Sequence, residues 1–488
     1  MTARALTAVG PVPVPQDAVY VGGDWLHPTD GGSVEVLDPA TEEVIGRVPD
    51  SSPAVGAAAV AAARAALPAW SRRSPAERAS FLDALADALE AHAEQLAVLA
   101  STEIGMPLRE SRAVQAALPA KVLRSTAGIA RSYEWERRDA SGSTVVREPA
   151  GVVLGVTPWN FPVHQIVAKL APALAAGCTL VLKPAELTPL NAVFLAGLCD
   201  LVGLPPGVVN VVTGTGATTG EALLQHGGWD VVSFTGSLAV GRHVGAVAGQ
   251  RVLRATLELG GKSPAVVLDD AGLEEAVRTT VRNCFTNAGQ KCNAPTRLVV
   301  PEDQRAEAVE IAVAAAGSYV LGHPLDEATT MGPLASEAQR RKVLGHLAAT
   351  AGRVVTGGPA VEFERGFFVR PAVVTDLPDD DPIVRQEVFG PVLCVQGHRG
   401  EDDAVRRAND TEYGLSAEVW SGDPARAAAV ARQIRAGQVR VNGVRTPELP
   451  VSPFGGYKAS GLGREMGPFA LEEFLEVKAI LGDPGVAP

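Results

Sequence analysis

The alternation of short apolar runs with helical stretches between Gly151 and Ala248 most constrains the fold of this 488-residue chain. The apolar runs are rich in valine, and a stretch of helical composition follows each of them. Short apolar strands separated by helices are typical of βαβ units, which form a parallel sheet buried on both faces. A second unit of this kind begins near Ser263 and continues to about Ser452. The sequence therefore predicts an α/β protein that binds ligands at the carboxyl edge of its strands.

Length and composition narrow the class of protein. The length predicts about two or three domains, and a hydrophobic content of 46% excludes a disordered polymer. The net charge of −12 argues against nucleic acid as the main partner, because phosphate binding needs a basic patch. Two uncharged runs, Pro149–Ala168 and Leu201–Gly220, are interrupted by polar residues, Pro or Gly, so we expect no membrane span there. Residues 1–16 lack a clean cleavage site and are interpreted as a loose tail.

The cysteines indicate the cellular compartment. Their number is odd, their spacings are wide and no CxxC occurs. This pattern argues against a disulfide framework or a zinc knuckle, so we predict a cytoplasmic protein without a metal site. The five positions are Cys178, Cys199, Cys284, Cys292 and Cys394. We expect all of them except Cys292 to be inert residues packed among apolar side chains.

Two glycine-containing turns are candidates for binding a phosphate. Gly214–Gly220 resembles GxGxxG with one residue too many, and an ordinary turn before a helix is an equal alternative. In Phe234–Gly241, Ser237 follows a strand and opens a helix, where backbone N–H groups and the helix dipole favour an anion. Arg242 stands where a Walker A motif would need lysine, which argues against ATP hydrolysis.

A thiol, a carboxylate and an amide could carry nucleophilic chemistry. Cys292 lies in a small polar loop beside Lys291, and this positive charge is expected to depress the thiol pKa. Glu258 stands between leucines at a strand end, where burial would raise its pKa and suit it as a base. Asn160 follows a strand and could hold an oxyanion together with the Cys292 backbone N–H. From the residues alone, an inert thiol, a salt-bridged strand-end glutamate and a simple turn asparagine stay open as alternatives.

Nine short segments resemble motifs of the aldehyde dehydrogenase superfamily and occur in the family's order. The resemblance covers nearly the whole chain, from about Val21 to Leu481, and nine ordered segments make it highly specific. The segments are TPWNFP (Thr157–Pro162), KPAE (Lys183–Glu186), FTGS (Phe234–Ser237), LELGGKSP (Leu257–Pro264), GQKC (Gly289–Cys292), MGPL (Met331–Leu334), EVFGPV (Glu387–Val392), EYGLSA (Glu412–Ala417) and PFGGYKASGLGRE (Pro453–Glu465).

This resemblance implies an NAD-dependent enzyme that oxidises an aldehyde to a carboxylic acid. Cys292 would attack the aldehyde, Asn160 would hold the oxyanion, and Glu258 would activate water to hydrolyse the thioester. Lys169 and Glu465 are similar to family positions that pass protons from that glutamate. The residues implied in NAD binding are Thr157, Trp159, Lys183, Glu186, Gly216, Gly236, Ser237, Leu259, Glu387 and Phe389.

The resemblance also bears on cofactor choice. Glu186 would meet the adenosine ribose, where a carboxylate accepts a hydrogen bond from the 2′-hydroxyl but repels a 2′-phosphate. We therefore predict NAD, with NADP disfavoured. After FTGS the family often has Thr-Glu, whereas this chain has Leu238 and Ala239, so its contacts to the phosphates from that turn would differ.

Domain organisation is likewise implied by the resemblance. Residues 1–130 and 150–260 would form a Rossmann-like NAD-binding domain, and residues 261–455 a catalytic domain, each with a doubly wound parallel sheet. Residues 131–149 and 474–488 would form a small β oligomerisation flap. The terminal strand has an open edge that a second subunit can cover, so we predict a homodimer or homotetramer.

Substrate preference depends on the expected tunnel to Cys292. Arg445–Val451 is expected to line its mouth, with Val163, His164 and Val167 below. This mostly apolar set favours a medium aliphatic or aromatic aldehyde, while Arg445 leaves a semialdehyde with a carboxylate open.

Three rival functions are weighed against hydrolytic aldehyde oxidation. A CoA-acylating dehydrogenase would not need Glu258 as a base. A nucleotide-binding protein without turnover would not need Cys292, Glu258 and Asn160 together. A Cys–His hydrolase needs a histidine near the thiol, and no motif of the sequence supplies one.

Overall fold

The computed structural model describes Pro15, residues 17–444 and residues 450–483. Its first part consists of two antiparallel hairpins followed by helices. Ser74 and Glu77 form a capping box at the start of one helix. The predicted helix over Pro75–Ala100 is two helices, because the backbone of His92 leaves the helical region. The elements are β1 Val19–Val21, β2 Asp24–Leu26, β3 Gly31–Leu37, β4 Val44–Ser51, α1 Pro53–Ser71, α2 Pro75–Ala91, α3 Ala93–Ile104, α4 Leu108–Ser111, a π-helical turn Arg112–Ala117 and α5 Leu118–Ser132.

The second part contains the strands and helices that alternate between Gly151 and Ala248. The segment begins with two strands exposed on much of their surface and continues with fully buried ones. Its elements are β5 Glu136–Arg138, β6 Thr144–Pro149, β7 Val152–Val156, α6 Pro162–Ala176, β8 Thr179–Lys183, α7 Pro189–Leu201, β9 Val209–Val211, a π-helical turn Gly216–Gly220, α8 Glu221–His226, β10 Val231–Thr235, α9 Leu238–Gln250 and β11 Arg254–Glu258.

The third part repeats the alternation and ends in a strand that returns to the second part. A tight turn, Thr286–Gly289, joins its first helix to the loop of Cys292. Its elements are β12 Pro264–Val267, α10 Leu273–Phe285, β13 Arg297–Pro301, α11 Arg305–Gly317, α12 Glu337–Ala349, β14 Arg353–Pro359, β15 Val369–Thr375, α13 Pro382–Arg385, β16 Val392–His398, α14 Glu401–Asn409, β17 Ser416–Trp420, α15 Pro424–Ala431, β18 Gln438–Val441, β19 Gly461–Leu462, α16 Gly467–Glu472 and β20 Leu475–Ile480.

The first large sheet has the strand order β19-β11-β10-β7-β8-β9-β1-β2. Its five central strands, from β11 to β9, are parallel. The chain runs outward from β7 through β8 to β9 and then returns to the other side of β7 as β10. The carboxyl ends of β7 and β10 therefore flank a point where the strand order reverses, which is where open α/β sheets bind ligands.

The second large sheet has the order β14-β15-β16-β13-β12-β17-β18, and all its pairs except β14–β15 are parallel. Helices cover both large sheets, so the prediction of doubly wound α/β sheets is confirmed. Cys178 and Cys199 are packed in the core of the first sheet, and Cys284 and Cys394 in that of the second. Burial raises the pKa of Cys178 and Cys199 to about 12, as expected of inert thiols.

A small antiparallel sheet joins the chain's end to the strands that precede β7. Strand β20 pairs with β6, and β6 pairs with β5. The partition of the chain into domains and a flap stays a prediction, to which this third sheet lends support.

Helix α1 is the described helix whose length and mean hydropathy, 1.2, are those of a membrane span. Ala59, Val60 and Ala63 on one of its faces are buried, and the helix packs against β8. Buried helices of this composition also occur in protein cores, so this feature alone is weak evidence for a membrane span.

Candidate active site

A tight turn presents Cys292 between the two large sheets. Asn287 and Ala288 both have a φ of 51°, in the left-handed region. Gly289 follows at φ +72°, and a Cβ there would collide with the carbonyl of Gly390, so only glycine fits. Strain of this kind is stable only where surrounding contacts enforce it.

Hydrogen bonds to one buried carboxylate and from two side-chain amides hold the turn in this conformation. The carboxylate of Glu110 accepts a bond from Asn287 N at 3.0 Å. The Asn287 amide donates to the carbonyl of Asn160 at 3.0 Å, and the Asn160 amide donates to the carbonyl of Gln290 at 3.0 Å. Asn160 is thereby fixed against the loop that carries Cys292, as its expected role requires.

Glu258 ends β11 and its side chain is 3% exposed. Neither carboxylate oxygen has a hydrogen-bond partner among the described residues. Burial raises the pKa of Glu258 well above its usual range; the charge of Glu465 raises it further, whereas Lys169 and the neighbouring Cys292 thiol lower it. An unsatisfied buried carboxyl group with a raised pKa is a candidate general base.

Lys169 and Glu465 form a buried ion pair whose charges act on Glu258. Nζ of Lys169 is 2.6 Å from the Glu465 carboxylate, and the same ammonium donates to the hydroxyl of Thr235 at 2.6 Å. Lys169 lies on α6 and Glu465 follows β19, so helix and strand bring the two predicted residues together. Both act on the pKa of Glu258.

Lys291 lowers the pKa of Cys292 as expected, but other effects raise this pKa overall. Burial raises the pKa of this thiol well above its usual value, and the carboxylates of Glu258 and Glu387 raise it further. Lys291 acts in the opposite direction but is outweighed. The sequence reveals the adjacent lysine, whereas desolvation and the carboxylates become visible only in the folded chain.

A cavity of about 170 Å³ lies at the switch point of the first sheet and reaches Cys292. Phe389 meets the indole of Trp159 edge-on with ring centroids 5.4 Å apart. Glu387 accepts a hydrogen bond from Gly261 N at 3.0 Å, and burial raises its pKa to about 7. The predicted cofactor residues that line this cavity are Trp159, Gly236, Ser237, Leu259, Glu387 and Phe389.

The other predicted cofactor residues lie outside that cavity. Nζ of Lys183, at the end of β8, is 3.3 Å from the carboxylate of Glu186. Thr157 follows β7 and is buried, with a hydroxyl that has no partner among the described residues. Gly216 begins an exposed π-helical turn after β9. Thr157, Lys183, Glu186 and Gly216 thus lie at or after the carboxyl ends of β7, β8 and β9, on the same edge of the sheet as the switch point.

A second cavity, of about 310 Å³, meets the first at Cys292 and Gln165. His164 lines it as expected, but Val163 and Val167 are fully buried, because their side chains pack in the core of the first sheet. Residues 445–449 of the expected tunnel mouth, including Arg445, lie outside the described residues. Pro450 lines the cavity.

His164 also bears on the hydrolase alternative. It shares a cavity with Cys292, although no sequence motif connects the two residues. Burial lowers the pKa of His164 to about 4, whereas the largest charge effect on the pKa of the thiol comes from Glu258. The arrangement therefore favours a Cys–Glu pair over a Cys–His pair.

Several residues of the site carry no local sequence signal. Gln339 and Lys342 lie three residues apart on α12 and line the first cavity. Glu110 and Asn287 hold the thiol loop through a long-range contact. Only the helical spacing of Gln339 and Lys342 could have placed those two on one face. Within the described ranges, no group of His, Cys, Asp or Glu could hold a metal ion.

The fold and site define a class of protein. A ligand cavity at the switch point of a doubly wound sheet is typical of dinucleotide-binding oxidoreductases. A thiol with an adjacent carboxylate base and an amide donor is the arrangement of covalent acyl chemistry.

Comparison with known proteins identifies the family. Residues 25–480 match the aldehyde dehydrogenase family, and the chain belongs to that family. It is therefore an oxidoreductase that acts on an aldehyde group.

Two curated relatives match over almost their whole length. The 3-succinoylsemialdehyde-pyridine dehydrogenase of a Pseudomonas species is 42% identical over 478 residues, which cover 96% of this chain and 98% of the relative. The geranial dehydrogenase of Castellaniella defragrans is 40% identical over 470 residues, which cover 95% of this chain and 98% of the relative.

A solved structure also matches. It is a Cys-to-Ala mutant of aldehyde dehydrogenase C from Pseudomonas syringae, in complex with NAD⁺ and octanal. The TM-score is 0.94 at 43% identity, covering 97% of this chain and 99% of that one.

Proposed function

We propose that this enzyme oxidises an aldehyde to a carboxylic acid with NAD⁺, through a thioester on Cys292 that water hydrolyses. The observation that carries the proposal is the position of Cys292, where the two cavities meet beside the Glu258 carboxyl group, which no described residue hydrogen-bonds. A substrate in one cavity and a cofactor in the other would thus reach the same sulfur.

The residues of the first cavity suit a dinucleotide. Ser237 caps the 13-residue helix α9, so backbone N–H groups and the helix dipole face an anion such as a pyrophosphate. Glu387 would accept a bond from a ribose hydroxyl, and Trp159 with Phe389 would enclose the nicotinamide end. Just outside this cavity, the hydroxyl of Thr157, which has no partner among the described residues, would bind a further ligand group. Bound NAD⁺ supplies the acceptor for the hydride that leaves the thiohemiacetal.

The protein's own residues perform the remaining work. Glu258 draws the proton from the Cys292 thiol, which addition to the carbonyl carbon requires because the thiol pKa is high. The Asn160 amide and the Cys292 backbone N–H stabilise the oxygen that becomes negative. Glu258 gives up the thiol proton through Lys169 and Glu465 and, ionised again, takes a proton from water, whose oxygen attacks the thioester and expels the Cys292 thiolate. Lys169 and Glu465 lead that proton away from the buried carboxyl group.

The cofactor preference rests on Glu186. Its carboxylate lies 3.3 Å from Nζ of Lys183, so the pair offers both a donor and an acceptor to a ribose diol. A 2′-phosphate would bring two negative charges against the Glu186 carboxylate. NAD is therefore preferred over NADP.

Assembly as a homodimer or homotetramer and a cytoplasmic location are parts of the same proposal. The small sheet of β5, β6 and β20 exposes Val477 and Ile480, which a second subunit could cover. All five cysteines are free thiols, in keeping with a reducing compartment. Light scattering on the purified protein would decide the assembly, and a monomer would overturn that part.

One assay separates the rival functions. NADH or NADPH fluorescence is followed with octanal and a panel of other aldehydes, with each cofactor, and with or without coenzyme A. We expect NAD-dependent turnover that gives the free acid and does not depend on coenzyme A. Stoichiometric acyl-CoA would favour the acylating alternative, and absence of turnover with every aldehyde would refute the proposal. Cys292→Ala should abolish turnover, whereas Cys199→Ala, in the core, is the matched control.

A further inference from the structure

The second cavity has a charged wall that the reaction at Cys292 does not use. Lys291 and Arg440 both line it, from the thiol loop and from β18 respectively. Apolar side chains such as Leu118, Phe161 and Phe454 form other parts of the wall. A pocket of this kind fits a ligand with an apolar body and one polar end.

Among the described residues, Lys291 has no partner for its charge. Within the described residues, its ammonium has no hydrogen bond and no ion pair, although the side chain is largely withdrawn from solvent. Burial lowers the pKa of Lys291 to about 8, so the amine is mostly protonated at neutral pH. A desolvated cation without a counterion is unfavourable, and an anionic ligand would relieve it.

Arg440 adds a second positive charge that is only partly neutralised. Its guanidinium is 3.8 Å from the carboxylate of Glu418, a long ion pair. Glu418 is 1% exposed, lies outside the described cavity wall and also accepts a bond from the Asn283 amide at 2.9 Å. Its single negative charge is thus shared and set back from the cavity.

The described wall of this cavity has little negative charge to neutralise Lys291 and Arg440. Glu465 also lines the cavity, but its carboxylate is bound to Lys169 at 2.6 Å. Glu110 lies near Lys291 behind the thiol loop; it accepts a bond from Asn287 N, and burial raises its pKa to about 7. Counted over the described residues of its wall, the cavity therefore carries an excess of positive charge next to the reacting thiol.

Resting on the proposed function, we infer that the physiological substrate is an aldehyde with a carboxylate at its far end, which Lys291 and Arg440 bind. The apolar wall contacts the carbon chain between the two groups. An aldehyde with a cationic end is disfavoured, since it would meet two like charges.

The test compares substrates that differ in charge at the far end. The probes are 4-oxobutanoate, 5-oxopentanoate and 6-oxohexanoate, each paired with its neutral methyl ester, and octanal serves as the reference. A charge-assisted hydrogen bond predicts that kcat/KM favours the acid over its ester by about 10- to 100-fold at the best chain length. A preference for the ester at all three lengths would overturn the inference. If octanal is oxidised but none of the three oxo acids is, the inference is overturned and the proposed function stands. If no aldehyde is oxidised, the inference and the proposed function are both refuted.

Variants assign the preference to the two cations. Lys291→Met and Arg440→Met should each lower the ratio of acid to ester by about 10-fold or more, whereas Lys291→Arg keeps most of it. Because the ester reports any damage to the neighbouring thiol, the ratio isolates charge recognition. Arg278→Met, at an exposed position on α10, is the control and should leave the ratio unchanged. An unchanged ratio in both Met variants would refute the assignment.

The pH dependence gives a second readout. The charged groups acting on the Lys291 amine are Arg440, Cys292, Glu418 and Glu110. As the pH rises through about 8, Lys291 loses its proton, so the KM for the acid should rise while that for the ester does not. In Lys291→Arg the rise should disappear. An equal rise for acid and ester would contradict the inference.

Discussion

The substitution Lys169→Met tests how the buried ion pair controls Glu258. Methionine keeps most of the side-chain length but removes the charge that is 2.6 Å from Glu465 and the bond to Thr235. Lys169 lowers the pKa of Glu258, whereas Glu465 raises it. Losing the lysine therefore raises the pKa of Glu258, because it removes the cation that offsets the charge of Glu465.

The magnitude follows from the position of the charge. An opposite charge within about 4–6 Å shifts a pKa by about 1–3 units, and we take the low end because Lys169 affects the pKa of Glu258 less than burial and Glu465 do. Glu258 must be ionised to activate water, so deacylation rises with pH through its pKa. We expect this rise to move up by about one pH unit in Lys169→Met. At pH values below the pKa of Glu258, deacylation in this variant should be about tenfold slower than in the wild type, since one pKa unit corresponds to about 1.4 kcal/mol.

The assay forms the acyl-enzyme in a rapid mix and follows its hydrolysis against pH. The double variant Lys169→Met/Glu465→Gln is the matched control, because it removes both charges together and should return the profile toward that of the wild type. The reasoning is refuted if the profile of Lys169→Met does not move. It is also refuted if the double variant shifts as far as the single one.

Three further substitutions test other parts of the site. Asn160→Ala should lower kcat by about 10²–10³-fold by loss of an oxyanion donor, as measured by steady-state NADH formation, and a loss below about threefold would exclude that role. Glu186→Gln should raise kcat/KM with NADP by about tenfold by removing one repulsive charge; an unchanged NADP/NAD ratio would count against it. Gly289→Ala should lower both activity and thermal midpoint, because its Cβ meets the Gly390 carbonyl, and a stable, fully active variant would contradict the turn geometry.

The architecture of this enzyme could be predicted from its sequence because the signal is local. Each strand from β7 to β10 is short, mostly apolar and followed by a helix or a turn, so periodicity and composition suffice. Glu258 and Asn160 come together as expected because they end or follow parallel strands of one sheet, and the tight turn Thr286–Gly289 brings Cys292 to the same cavity.

Other features of the site depend on contacts between distant segments. The raised pKa of Cys292 results from burial and from carboxylates far away in sequence, whereas the adjacent lysine is the only part that the sequence reveals. The convergence of Lys291 and Arg440 on one cavity depends on the packing of β18 beside the thiol loop. The sequence predicts Val163 and Val167 in the tunnel, but both side chains pack in the core beside α6.

The central claim, an acyl group carried by Cys292 and released by Glu258, is tested most directly in Glu258→Gln. The variant is incubated with NAD⁺ and octanal, NADH is counted, and the acid-quenched protein is digested for peptide mass spectrometry. We predict about one NADH per active site and one octanoyl group on the peptide that contains Cys292, because acylation proceeds slowly while hydrolysis has lost its base. Continued NADH release at the wild-type rate, an octanoyl group on another residue, or no acylated peptide would contradict the account.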